Sequence, residues 1–205
     1  MISHKPVIGV VGGIGSGKSR VAQILAGLGA AWVNADDLAH EAFQADNVKS
    51  AIRSIWGGQV FLADGSVDRR RLTEQVFASH SDLRRLERVI HPWIARRRDG
   101  IFASLAARQD LKAFVADSPL LFEANLDAEC DFILFVDCRL DIRAERLQAT
   151  RGWSREELVR RESRQLPLGF KRDRADDIVA NNSDDAALVC EASQAFARML
   201  RSARA

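Results

Sequence analysis

The most specific chemistry in this sequence of 205 residues lies in Gly12-Gly13-Ile14-Gly15-Ser16-Gly17-Lys18-Ser19. The run matches G-x-x-x-x-G-K-[ST], whose glycines let a tight turn aim successive backbone N–H groups at phosphate oxygens. Gly13, Ile14, Gly15, Ser16, Gly17, Lys18 and Ser19 are therefore candidate contacts of a nucleoside triphosphate. Lys18 would reach the β- and γ-phosphates, and the Ser19 hydroxyl would hold Mg²⁺. A ligand-free glycine turn explains the glycines but not a Lys-Ser pair where a helix begins.

Other residue types are less specific alone. Asp36 and Asp117 each stand where a strand is expected to end, a position that suits a catalytic or metal-water carboxylate and equally a helix cap. Asp37 and His40 lie one helical turn apart, and two such ligands are weak grounds for a metal site. Cys130, Cys138 and Cys190 are odd in number and widely spaced, with no C-x-x-C pair, and read as reduced structural thiols.

Positive charge is clustered. The net charge is +2 and 25 of the 30 basic residues are Arg, with nine Arg against four acids in 67–98 and ten Arg plus Lys171 against six acids in 139–174. Guanidinium forks suit phosphate oxygens, so a nucleic-acid-binding protein is one reading of these segments. Solvated helix faces are the other, and the near-neutral total argues against a general polyanion-coating role.

These residues need a frame. Lys5–Val11 reads as a buried parallel strand ahead of the glycine turn. Val21, Ile24, Leu25 and Leu28 then fall on one helical stripe, with Gly29 where a C-terminal cap belongs. Further strands are expected at Ala30–Asn34, Ala113–Ala116, Phe132–Val136 and, more weakly, Ile178–Ala180. From Leu38 to Arg108 the pattern is helical, with a helix start at Ser81-Asp82 and a break or new first turn at Pro92. Ser154 to Glu157 fits a capping box that starts a helix from about Arg155 to Gln165, after which Pro167 and Gly169 loosen the chain. A closing amphipathic helix follows Leu188. Strands alternating with helices predict an α/β fold with three layers and a mostly parallel five-stranded sheet. No apolar run reaches the roughly 18 residues of a membrane helix, and no signal-peptide pattern is present, so an intracellular, cytoplasmic protein is expected.

The type of phosphate-loop protein can be narrowed. Asp117-Ser118-Pro119-Leu120 lacks the glycine of the D-x-x-G motif, and N-K-x-D is absent, which argues against a switch GTPase. Small-molecule kinases carry a helical acceptor region after the second strand and an Arg-bearing lid late in the chain, where the two Arg-rich segments stand.

Nearly end to end, the sequence resembles the dephospho-coenzyme A kinase family. The resemblance rests on Gly12 to Ser19, Ala35-Asp36, Asp68-Arg69 with Leu72 and Phe77, Ile90-His91-Pro92, and Pro119-Leu120-Leu121-Phe122-Glu123. It continues with Arg146-Leu147, Arg151, Arg161, Gln165, Lys171, Ala175 to Val179 and Asn181. The likeness implies ATP- and Mg²⁺-dependent phosphorylation of the ribose 3′-hydroxyl of dephospho-CoA, with a small molecule rather than nucleic acid or membrane as partner. It also implies a P-loop core of 1–37, 109–141 and 175–205, a helical acceptor domain of 38–108 and a lid of 142–174. Asp36 would be the base or orienting acceptor for the hydroxyl, Lys18 and Arg151 would stabilise the transferring phosphate, and Asn181 would lie near the adenine. His91, Pro119, Leu120 and Arg161 would contact the acceptor. One departure is Asn34, where the family often has Asp.

Overall fold

A computed structural model describes residues 5–77 and 79–203. Five short runs rich in Val, Ile, Phe and Ala form strands β1 (Val7–Gly12), β2 (Ala30–Asn34), β3 (Ala113–Asp117), β4 (Phe132–Asp137) and β5 (Asp177–Ala180). They line up in the order β2-β3-β1-β4-β5 with every pairing parallel. The expected sheet is thus entirely parallel. Asp117 stands in register with Val10 on β1 and Asn34 on β2, so the carboxyl ends of these strands share one edge. In such sheets that edge, where the strand order reverses, is where ligands bind.

Both faces are covered, because a parallel strand has no solvent face to spare. On one face α1 (Lys18–Gly27) and α9 (Asp185–Ser202) set Val21, Leu25, Leu188, Phe196 and Met199 against Ile8, Val10, Val115, Leu134 and Val136. On the other, Leu121 and Phe122 pack with Val11, Ile133 and Phe135. Each such fully buried side chain contributes about 1.5–3 kcal/mol of apolar transfer free energy. Helices α6 (Leu140–Arg151), α7 (Arg155–Glu162) and α8 (Leu168–Asp173) follow β4.

The chain divides into two units, one taking the chain up to Asn34 and from Ser104 onward, the other Ala35–Ala103. The helices of 142–174 belong to the first. The second has a core of its own, in which α2 (Ala35–Ala42), α3 (Asp46–Trp56), α4 (Arg69–Phe77) and α5 (His80–Leu105) bury Val48, Ile52, Trp56, Leu72, Val76 and Ile90. A bridge between Phe61 and Val67 closes the turn that joins α3 to α4.

Three local expectations need correction. Pro92 neither breaks nor starts a helix: α5 runs through it. The ring is exposed, while Leu86, Val89 and Ile90 before it and Trp93 and Ile94 after it pack on one core, so tertiary contacts outweigh one missing hydrogen bond. Pro167 and Gly169 do not loosen the chain, because Pro167 is the N-cap of α8 and its fixed φ suits a helix entrance. Ser154 Oγ accepts from Glu157 N at 3.3 Å, the N-cap half of the expected capping box, while the Glu157 carboxylate pairs with Arg160 and Arg161, and α7 stops at Glu162, earlier than expected. No helix among the described residues is long and apolar enough to cross a membrane.

Candidate functional site

Between β1 and α1 the glycine run forms a loop over the start of the helix. Gly17 is the N-cap, in the left-handed region at φ 94°, and, having no side chain, it leaves the first turn uncapped. The leading N–H groups of α1 are left for an anion. Ser16 is fully buried, and its hydroxyl has no hydrogen-bond partner among the described residues, an orphaned donor that a phosphate oxygen would satisfy. Lys18 Nζ donates to the carbonyls of Gly12 at 3.1 Å and Gly13 at 2.9 Å, so the ammonium lies across the loop. Burial lowers its pKa from 10.5 to about 8; Asp117 and Glu162 oppose the shift, and Lys171 and Arg143 add to it. Ser19 is exposed in the first turn, and Asp117 is buried at the end of β3.

Long-range contacts hold this loop in shape. Asn181, buried just beyond β5, donates from Nδ2 to Ser16 O at 2.7 Å, while its Oδ1 accepts from Arg146 at 3.1 Å. A Cβ on Gly17 would collide with that amide, a second reason for glycine there. The Asn181 side chain is thus engaged with the loop itself. Arg143 of α6 donates to Ile14 O at 3.1 Å, and Glu162 of α7 accepts from Ile14 N at 3.1 Å. Arg143 and Glu162 leave no local signal as loop contacts in the sequence, since their bonds to Ile14 span 129 and 148 residues.

Arg151 and Arg161 share a platform. Both are exposed, and their guanidinium carbons stand 5.1 and 4.1 Å from the ring centroid of Trp153 in the turn between α6 and α7. Arg161 also pairs with Glu157 at 2.6 Å. Much of the second Arg-rich segment is spent on such intramolecular partners, including Arg139 with Asp141 and Arg160 with Glu157. Pro119 and Leu120 open the turn after β3. That turn is held by buried Lys171, which pairs with Glu123 at 2.8 Å and donates to Pro119 O at 3.4 Å, while Glu123 also accepts from Leu166 N at 2.8 Å.

The first unit therefore gathers the loop, Asp117, Pro119, Leu120, Arg151, Arg161 and Asn181. Asp36 and His91 belong to the second. Asp36 is exposed in the first turn of α2, which begins at Ala35, so Asp36 is inside the helix rather than at its cap. His91 is half-buried on α5 beside Pro92. Asp37 and His40 lie on α2, and among the described residues no third ligand completes a metal cluster with them.

Comparison with known proteins adds three findings. Residues 6–186 match the family model described as Dephospho-CoA kinase. Dephospho-CoA kinase of Rhodopirellula baltica is 37% identical over 186 residues, covering 88% of this chain and 84% of the relative, and that of Anaeromyxobacter dehalogenans is 38% identical, covering 93% and 90%. Among solved structures, a Thermus thermophilus protein superposes with a TM-score of 0.81 at 32% identity, covering 95% and 97% of the two chains. An Acinetobacter baumannii shikimate kinase, at TM-score 0.52 and 15% identity, covers 98% and 96% and shares the fold.

Proposed function

The chain belongs to the dephospho-CoA kinase family, and from that premise we propose that it transfers the γ-phosphoryl group of ATP to the ribose 3′-hydroxyl of dephospho-CoA. The observation that carries this reading is a complete phosphate loop, with buried Ser16 and Lys18 laid across it, in a chain whose residues 6–186 match the family. In the transfer the 3′-oxygen bonds to the γ-phosphorus, the bond to the β–γ bridging oxygen breaks, and the hydroxyl proton goes to a carboxylate. Asp36 is that carboxylate in our reading. It acts as base or orienting acceptor while the loop N–H groups and Lys18 spread the charge on the phosphate. Arg151 adds positive charge over the leaving diphosphate, and His91, Pro119, Leu120 and Arg161 receive the acceptor.

The donor set fits Mg²⁺, a hard cation that keeps waters and takes few protein oxygens. The Ser19 hydroxyl would hold it directly and Asp117 through water, and when bound it neutralises phosphate charge. A cytoplasmic location belongs to the same reading and is supported by the free thiols Cys130, Cys138 and Cys190.

The deciding experiment is an acceptor screen with ATP and Mg²⁺, the product identified by mass. Dephospho-CoA gaining one phosphoryl group at the ribose 3′-position is expected. Turnover on another nucleoside or sugar, with none on dephospho-CoA, would reassign the substrate. A salt-sensitive shift of RNA or DNA at physiological ionic strength, without phosphoryl transfer, would favour a nucleic-acid role.

A further inference from the structure

A charge pair that the transfer does not itself use is built against the phosphate loop. Arg143 and Glu162 come from different helices, with side chains only 4% and 17% exposed, and their closest atoms are 2.5 Å apart. Arg143 Nε donates to Cys138 O at 3.1 Å, which fixes the guanidinium on the end of β4. From there Nη1 reaches both Glu162 Oε1 and Ile14 O, and Nη2 reaches Glu162 Oε2 at 3.2 Å. Glu162 Oε1 accepts from Ile14 N at 3.1 Å. Both backbone polar groups of Ile14 are thus held by one ion pair.

The neighbouring residue is shaped to admit it. A Cβ on Gly13 would stand 2.5 Å from Arg143 Nη1 and 2.8 Å from Glu162 Oε1, so the pair occupies the space that a side chain would need. Buried ion pairs are in general a poor way to gain stability, since desolvation offsets much of their attraction. A carboxylate on a loop meant for phosphates is also unfavourable unless its charge is cancelled, and Arg143 cancels it at contact distance.

We propose that Arg143 and Glu162 are positioning residues for the known reaction. They hold the outer edge of the loop, Gly13–Ile14, in its phosphate-receiving shape before the nucleotide arrives, with Glu162 acting through its acceptor bond to the Ile14 N–H. The proposal rests on the loop being the ATP site. A loop fixed in advance loses less freedom on binding, and a misplaced loop costs transfer rate through poor alignment.

Glu162→Ala and Glu162→Gln separate this role from a merely structural one. Both remove the charge that partners Arg143, so both lower the thermal midpoint, but Gln keeps an oxygen that can accept from Ile14 N. ATP affinity by calorimetry is expected to fall about 10- to 100-fold in Glu162→Ala and no more than about threefold in Glu162→Gln. The KM for dephospho-CoA is expected to stay within about threefold in both, and kcat to fall only in the alanine variant. Equal ATP affinity in the two variants would overturn the proposal in favour of structural support. Tighter ATP binding by Glu162→Ala would overturn it in favour of a carboxylate that blocks the site.

Should Glu162→Ala fail to fold, amide hydrogen exchange reads the same bond in the wild type and Glu162→Gln. Protection of the Ile14 N–H without nucleotide is expected in both, and an Ile14 amide exchanging at the rate of an open loop in the wild type overturns the proposal. A wild-type protein that binds no ATP would instead overturn the reading of the loop as the ATP site.

Discussion

Lys18 illustrates how one residue is tuned by its surroundings. The free loop holds its ammonium on two carbonyls, and burial lowers its pKa to about 8. Because the unfolded lysine titrates near 10.5, the unfolded chain binds more protons between these values. The contribution of Lys18 to stability is therefore greatest above about pH 10 and declines as pH falls through about 8. Nucleotide phosphates reverse the balance by holding the amine charged, so ATP binding at mildly alkaline pH is expected to take up protons. Calorimetry in buffers of different ionisation enthalpy checks this, and no net uptake would mean that the phosphates do not meet Lys18. In the proposed mechanism Asp36 serves a different step. Asp36→Asn keeps size and shape, so kcat is expected to fall about 10²- to 10⁴-fold with ATP affinity nearly unchanged. Single-turnover kinetics measures it, and a loss below about tenfold would leave Asp36 as a helix residue only.

At the scale of elements, the turn between α6 and α7 serves as a mounting. Trp153 carries Arg151 on one side of the turn and Arg161 on the other, while Glu157 draws Arg161 along α7. A guanidinium held against an indole face at an exposed site gains about 0.5–1 kcal/mol, enough to bias its direction and weak enough to exchange for a phosphate. Arg151→Ala is therefore expected to lower kcat more than it raises the KM for dephospho-CoA, because its charge matters most as the phosphoryl group moves. Steady-state kinetics with both substrates decides it; a rise confined to the acceptor KM would make Arg151 an acceptor contact. The N-cap of α7 was readable because Ser154 and Glu157 lie within one turn of each other in sequence. The continuity of α5 through Pro92 was not, because the contacts that keep it helical come from α2, α3 and α4.

At the scale of the whole molecule, the chain has two cores. Ile52 is completely buried in the helical one, with Trp56, Leu72 and Ile90 around it, and takes no part in the phosphate loop. Ile52→Ala is expected to cost about 2–5 kcal/mol through the cavity it leaves and to raise the KM for dephospho-CoA while ATP affinity holds. Urea unfolding and nucleotide titration check the two halves of that expectation, and a matching loss of ATP affinity would show that the cores act as one. The sequence by itself determined the strand, glycine loop and helix of the phosphate site, the positions of five strands and the family. Those signals are local: short apolar runs, period-3.6 patterns, glycines demanded by a turn, and residues that must follow one another to cradle a phosphate. Tertiary structure decided what braces the loop. Asn181 on Ser16, Arg143 and Glu162 on Ile14, and Lys171 on the turn after β3 are brought from 165, 129, 148 and 52 residues away, respectively. No periodicity marks such partners, because their pairing is set by which strand ends and helix starts the parallel sheet brings to a common edge, and by the cost of leaving a buried polar group unmet there.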